Sequence, residues 1–221
     1  RTIAHDANYS IKEVLSRQGF GRRLLLVCDD DTWKAAGEAI KAQLQTSYEV
    51  IGHSLGRTPH PTLSRCEEII AAGREVDGLI SVGSGTINDI TKYSATQLGK
   101  PYISVATAAS MNGYTSASAS LIANGFKRAY AARPPVAVIA DLSVICAAPK
   151  RLARAGYGDT LCRSTVEADM LLAHLLLGSP YPREIFDFLR RHEPTLIENA
   201  KALYDQEDVI ITALMEALLD G

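Results

Sequence analysis

The chain has 221 residues, 47% of them hydrophobic and 22% charged, with a formal net charge of −2 at pH 7. This is globular composition, long enough for one good core or for one domain and part of another. The near-neutral balance, with charge runs no denser than Asp29-Asp30-Asp31, excludes a nucleic-acid surface, and no apolar run reaches the ~18 residues of a membrane helix.

Cys28, Cys66, Cys146 and Cys162 stand far apart with no CxxC pair. They read as reduced, buried thiols of a cytoplasmic protein, against a disulfide frame or a zinc knuckle. No signal peptide opens the chain, and a start at Arg1 leaves the true N-terminus expected to be missing or processed.

Residues 24–28 are continuously apolar and of strand length, as expected of a parallel strand covered on both faces. Residues 32–45 then read as a helix, with Trp33, Ala36, Ile40 and Leu44 at helical spacing. A strand over 48–51 follows, then a turn with two prolines and a helix over 61–75 that faces Ile69 and Ile70 inward. Next come a strand over 78–82, a glycine turn, a helix over 85–98 and a strand over 102–105. The alternation predicts an α/β protein with a parallel sheet. Residues 106–119 are small and polar, without period. Asn124-Gly125 signals a hairpin turn, and 136–140 is another short strand. After Pro149 only helical spacing remains, over 168–176, 184–203 and 208–219. A boundary is therefore placed near 147–150, with an α/β domain over 1–148 and an all-α domain over 149–221. The apolar face of Ile210, Leu214 and Leu218 stops at Gly221, so the second domain is expected to be cut short.

Four features can converge on one site. The first is the turn Gly83-Ser84-Gly85-Thr86-Ile87, where a strand breaks into glycines and a helix begins. Glycines let backbone approach a ligand, and a helix start offers unpaired N–H groups and partial positive charge to a phosphate. The pattern is not GxGxxG, and a plain turn capped by Ser84 or Thr86 is the alternative. The second is Asp29, at the carboxyl end of the first strand, where it can accept from ribose hydroxyls or cap the following helix. The third is the polar loop 107–116, a pocket wall or a flexible connector. The fourth is Gly156-Tyr157-Gly158-Asp159, at the start of a long helix, where the carboxylate can bind metal or cap.

Three stretches carry a resemblance: Gly83 to Asp89, Pro101 to Ser116, and Gly156 to Asp159, supported by Ile139-Ala140-Asp141-Leu142. In this order the chain resembles the sn-glycerol-1-phosphate dehydrogenases, of the superfamily that holds dehydroquinate synthases and iron-containing alcohol dehydrogenases. The resemblance implies a Rossmann-like domain followed by a helical one, with the site between them. It implies reduction of dihydroxyacetone phosphate by NADH or NADPH, assisted by a divalent metal such as zinc or nickel, in a cytoplasmic homo-oligomer. Asp29 would hold the adenosine ribose, and a carboxylate there leans toward NAD over NADP. Gly83, Ser84, Gly85, Thr86 and Ile87 would cradle the pyrophosphate. Thr107, Ser110 and Ser116 would contact the nicotinamide half. Asn112 stands where the family has a substrate-contacting aspartate, a change of charge that puts the substrate in question. Asp159 matches the first metal ligand.

A catalytic zinc takes three protein ligands. His174, fifteen residues along the same expected helix, would be ~22 Å from Asp159, too far to share an ion. His5, His53, His60 and His192 stand in no ligand motif. The family's two histidine ligands lie further along than Gly221, so this chain alone is expected to be inactive. The alternatives are a glycerol dehydrogenase, a dehydroquinate synthase-like enzyme, and a nucleotide-binding module without catalysis.

Overall fold

The computed structural model describes residues 2–4 and 10–221. The apolar runs form β2 (Arg23–Cys28), β4 (Gly78–Gly83) and β5 (Tyr102–Ala106), almost wholly buried. Among the described residues they join β1 (Thr2–Ala4), β3 (Glu49–Ser54) and β8 (Ala137–Asp141) in a six-stranded parallel sheet of order β1-β8-β5-β4-β2-β3. A strand buried on both faces needs helices on both faces, and side-chain alternation shows which. Leu24, Leu26 and Cys28 share a core with α1 (Ser10–Arg17) and with the stretch that follows β2. Leu25 and Val27 point the other way, into a core with α4 (Leu63–Ala72) and α5 (Gly85–Leu98).

The helix expected over 32–45 is not continuous. It runs as α2 (Asp30–Thr32), a wide π turn (Trp33–Gly37) and α3 (Glu38–Leu44). Gly37 lies against the Trp33 ring, where an added Cβ would stand 3.0 Å from Cε3. The widened turn makes room for that indole. The short first elements, β1 and α1, add to those expected from the sequence. The helix over 85–98 lies where the periodicity placed it, closed by Gly99 in the left-handed region at φ 66°. Asn124 and Gly125, at φ 52° and 79°, turn the hairpin of β6 (Ser118–Ala123) and β7 (Phe126–Ala131).

Beyond β8 the described chain is helical: α6 (Leu142–Cys146), α7 (Lys150–Leu161), α8 (Arg163–Leu177), α9 (Arg183–Arg190), α10 (Glu193–Glu198), α11 (Ala200–Asp205) and α12 (Asp208–Asp220). The helix expected over 184–203 is the three short pieces α9, α10 and α11: Pro194, with no N–H to donate, sits in the first turn of α10, and Asn199, at φ −108° and ψ 24°, separates α10 from α11. In α12, Ile210, Leu214 and Leu218 do face inward, into a core with Ala106, Ala109, Tyr114, Val138 and Ala140. The helical segment is thus packed on the carboxyl ends of β5 and β8. In α8, Leu172, Leu175, Leu176 and Leu177 face outward instead. Cys28 and Cys66 are buried, as expected, but Cys146 is half-buried and Cys162 exposed; none is paired. No helix among the described residues is long and apolar enough to cross a membrane.

Two glycines of α7 test this packing. A Cβ on Gly156 would stand 2.2 Å from the Ala109 carbonyl oxygen, whereas one on Gly158 would meet nothing within 4 Å. Gly156→Ala should lower unfolding stability by about 2–3 kcal/mol, since backbone cannot yield as a flexible side chain does. Gly158→Ala should raise it by roughly 0.5–1 kcal/mol through helix propensity. Urea midpoints at unchanged m-value measure both; a Gly156→Ala midpoint equal to the parent's would contradict the contact.

Candidate functional site

In parallel sheets, ligand crevices lie beyond the carboxyl ends of the strands. Here Asp29 follows β2, Ser84 follows β4, Thr107 follows β5, and β8 ends at Asp141. The first three line one cleft of about 540 Å³, together with Thr32, Ser143 and Arg151. A second cleft of about 320 Å³ is lined by Gly85, Thr86, Asp89, Asn112, Lys127 and Asp159 among others. Ser84 and Gly85 are consecutive, so the two clefts meet at the start of α5.

That helix start is open. Ser84 occupies the N-cap position, yet its side chain makes no capping hydrogen bond. Among the described residues, the N–H groups of Gly85, Thr86 and Ile87 have no acceptor. The plain capped turn considered from the sequence is therefore not what forms. The glycines differ in purpose. A Cβ on Gly83 would stand 2.6 Å from the Ile87 Cβ, so Gly83 and the buried Ile87 are a packing pair. On Gly85 a Cβ would meet only Met111, at 3.9 Å. The chain has no steric need for glycine at 85, and what its absent Cβ preserves is free space beside unpaired amides.

Asp29 takes the capping role. Its Oδ1 accepts from Thr32 N at 2.7 Å, and Thr32 Oγ1 accepts from Asp29 N at 2.9 Å, a reciprocal capping box. The same residue lines the first cleft, so the cap orients a carboxylate there. Thr107 is buried at the cleft floor, its N–H donated to Gly83 O at 3.3 Å. Ser110 lines neither cleft. Ser116 also stands outside both, with Oγ accepting from Lys92.

Asp159 is not at a helix start. It lies in the last turn of α7, and a break at Cys162 separates α7 from α8. His174 is therefore on a different helix, with Nδ1 paired to Ser179 O at 2.7 Å. His53 is held by Glu68 and His192 by Asp220, while His5 lies outside the described residues. The Asp159 carboxylate accepts the backbone N–H of Asn112 at 2.7 Å. The contact bypasses the Asn112 side chain. Among the described residues no three His, Cys, Asp or Glu side chains are grouped to hold a metal. Asp159 is a single candidate ligand, and the donor set for a catalytic ion is not complete there.

Sequence reasoning missed two residues. Lys92 is fully buried, and its Nζ donates to Gly113 O, Ser116 Oγ and Ser118 O at 2.6, 2.9 and 3.0 Å. Burial pushes its pKa down to about 8, with Asp89 pulling the other way. Asp89, 3.9 Å from Lys92, accepts Ser120 N at 3.1 Å, and burial raises its pKa. A visible signal existed: Asn88 and Lys92 are polar residues one turn apart on a helix whose neighbours Ile87, Ile90 and Ala95 are core.

Fold and site together define a Rossmann-like α/β unit in which a helix start with unpaired amides lies beyond the carboxyl end of a central strand. The chain belongs to the iron-containing alcohol dehydrogenase family, whose model matches residues 2–149. It is 30% identical over 230 residues to a glycerol-1-phosphate dehydrogenase [NAD(P)+] of Geobacillus thermodenitrificans, covering 99% of this chain and 55% of that protein. With the enzyme of the same name from Pyrococcus furiosus it is 32% identical over 210 residues, covering 94% and 60%. The chain thus spans little more than half the length of these relatives. A crystal structure of glycerol dehydrogenase from Schizosaccharomyces pombe shares the fold, with a TM-score of 0.78 at 20% identity over 97% of this chain and 57% of that one. A maleylacetate reductase from Agrobacterium tumefaciens does so at 0.75 and 19%, over 99% of this chain and 61% of that one.

Gly85→Ala separates ligand space from folding. The variant should keep the parent's thermal midpoint, because its Cβ meets nothing closer than 3.9 Å. Its affinity for NADH, followed by fluorescence titration, should fall about tenfold, roughly 1.4 kcal/mol, as the methyl fills the approach to the amides. Unchanged affinity would show that no phosphate rests there.

Proposed function

We propose that the protein reduces dihydroxyacetone phosphate to sn-glycerol 1-phosphate with NADH or NADPH. The observation that carries the reading is the open start of α5, with Gly85 unobstructed and the Gly85, Thr86 and Ile87 amides unpaired. A dinucleotide laid across it would place its pyrophosphate on those amides, its adenosine half in the cleft of Asp29, and its nicotinamide half toward the cleft of Asn112 and Asp159. The relatives' shared activity points the same way. The expectation includes two domains, 1–148 and 149–221, in a cytoplasmic homo-oligomer.

When bound, the nicotinamide supplies the hydride. The chain's groups bind and orient. The capped Asp29 accepts from ribose hydroxyls, and the α5 amides with the helix dipole receive the diphosphate. The Asn112 amide fixes the carboxylate of Asp159, an acceptor for a substrate hydroxyl. Asp159 is also the residue proposed to ligate a metal, zinc or nickel, which would supply Lewis-acid polarisation of the ketone oxygen; among the described residues one carboxylate does not complete such a site. Ser110 and Ser116 lie away from both clefts, and Thr107 is the member of that loop best placed for the cofactor.

Lys127 favours a phosphorylated substrate over a neutral triol. It is the cation among the lining residues of the second cleft and forms no ion pair with the described residues. With NADH bound, Lys127→Gln should weaken dihydroxyacetone phosphate binding about tenfold, the worth of one charged hydrogen bond, and leave dihydroxyacetone unaffected. Calorimetric titrations of parent and variant measure this. Equal loss for both ketones, or none, would count against a phosphate at Lys127. A parent that fails to bind NADH would remove the dehydrogenase reading itself.

A further inference from the structure

Nothing in a dinucleotide cradle calls for a fully buried lysine two turns into its helix, yet Lys92 is there. An ammonium carries three N–H bonds, and its acceptors are Gly113 O, Ser116 Oγ and Ser118 O. Every one lies in the segment that runs from the polar loop into β6. Asn88, one turn earlier on the same face, donates its Nδ2 to Gly113 O at 3.4 Å and accepts from Ser104 at 3.0 Å. Apart from the buried Tyr114 and the partly buried Met111, the segment has little apolar surface with which to hold itself in place.

We infer that Lys92 is a positioning residue for the second cleft, holding residues 111–118 so that the Asn112 amide reaches Asp159 and the loop forms that cleft's wall. The inference rests on the proposed reading for what the cleft binds, but the positioning stands on the contacts alone. The division of labour is specific. The start of the loop has ties of its own: Thr107 N to Gly83 O at 3.3 Å and Tyr114 Oη to Ala108 O at 2.7 Å. The Asn112–Asp159 contact has no support of that kind on the α5 side except through Gly113. Removing Lys92 should therefore loosen the second cleft and spare the first, whereas a general fold staple would loosen both.

Backbone hydrogen exchange and ligand titration of Lys92→Met and of the milder Ser116→Ala test this. In Lys92→Met, exchange over 111–118 should quicken at least tenfold, while the start of α5 and residues 102–107 keep parental rates. NADH affinity should stay within about threefold, and dihydroxyacetone phosphate affinity in the NADH complex should fall at least tenfold. Ser116→Ala, which removes one of the three acceptors, should shift the same segment in the same direction by a smaller factor. Lys92→Arg, which keeps charge and donors, should recover part of the dihydroxyacetone phosphate affinity. Exchange that quickens evenly from 85 to 118, or loss of both ligands in parallel, would reduce Lys92 to a general staple and overturn the inference. Parental exchange over 111–118 in both Lys92→Met and Ser116→Ala would overturn it too. A parent that binds no NADH would defeat the dehydrogenase reading but leave the exchange result to decide the positioning.

Discussion

A charge can be taken out of water only if the protein replaces what water gave it. The Lys92 ammonium meets that constraint with a carbonyl, a hydroxyl and a second carbonyl, each within 3.0 Å. Meeting it organises everything between β5 and β6. A loop of mostly small and polar residues has little to pack beyond Ala108, Ala109 and Tyr114, which enter the core. It is also held at intervals by polar ties: Ala108 by Tyr114, Gly113 by Asn88 and Lys92, Asn112 by Asp159, and Thr115 by the carbonyl of Leu219 in α12. Each tie is polar and at least partly buried, so each carries more weight than a surface bond would. The cleft wall is therefore a product of α5, α7 and α12 together.

The glycines show how the same residue type serves packing in one place and ligand space in another. Gly83 and Gly156 are occluded by the protein itself, one by Ile87 and one by the Ala109 carbonyl. They let β4 meet α5 and let α7 lie on the polar loop. Gly85 is occluded by nothing nearer than Met111. Backbone amides that are unpaired, and flanked by a residue that keeps its Cβ away for no internal reason, are a stronger pointer to an anion than the glycine spacing by itself.

Much of this was legible in the sequence, and the failures have physical causes. The strands at 24–28, 78–82 and 102–105 were readable because burial on both faces leaves no polar position to confuse the period. The helix over 85–98 was readable because Gly99 ends it. Asp29 reads from the sequence as either a ribose acceptor or a cap, and the cap is observed. Helix continuity was the weak point: a tryptophan that widens a turn at 33–37, a break at Cys162 and a proline at 194 interrupt periodic runs without erasing their period. The Cys162 break moved Asp159 from a helix start to a helix end. Lys92 escaped because a lysine on a helix is usually solvated, and only tertiary contacts reveal that this one is not.

The charge of the second cleft gives Asn112 a meaning that its position in a family pattern does not. The contact that orients Asp159 comes from the backbone of residue 112, so any side chain there leaves it intact. What the side chain decides is the field. The titratable groups lining this cleft are Asp89, Asp159 and Lys127. Asp89 is already offset by Lys92 and by the Ser120 amide, and burial discourages its charge. An aspartate at 112 would add a carboxylate beside Asp159 and raise the repulsion felt by an anionic ligand. Asparagine keeps the shape and offers donors in place of charge. In the chain as it stands, that exchange spares the cleft a second carboxylate beside Asp159, and Lys127 lowers the repulsion toward an anionic ligand further.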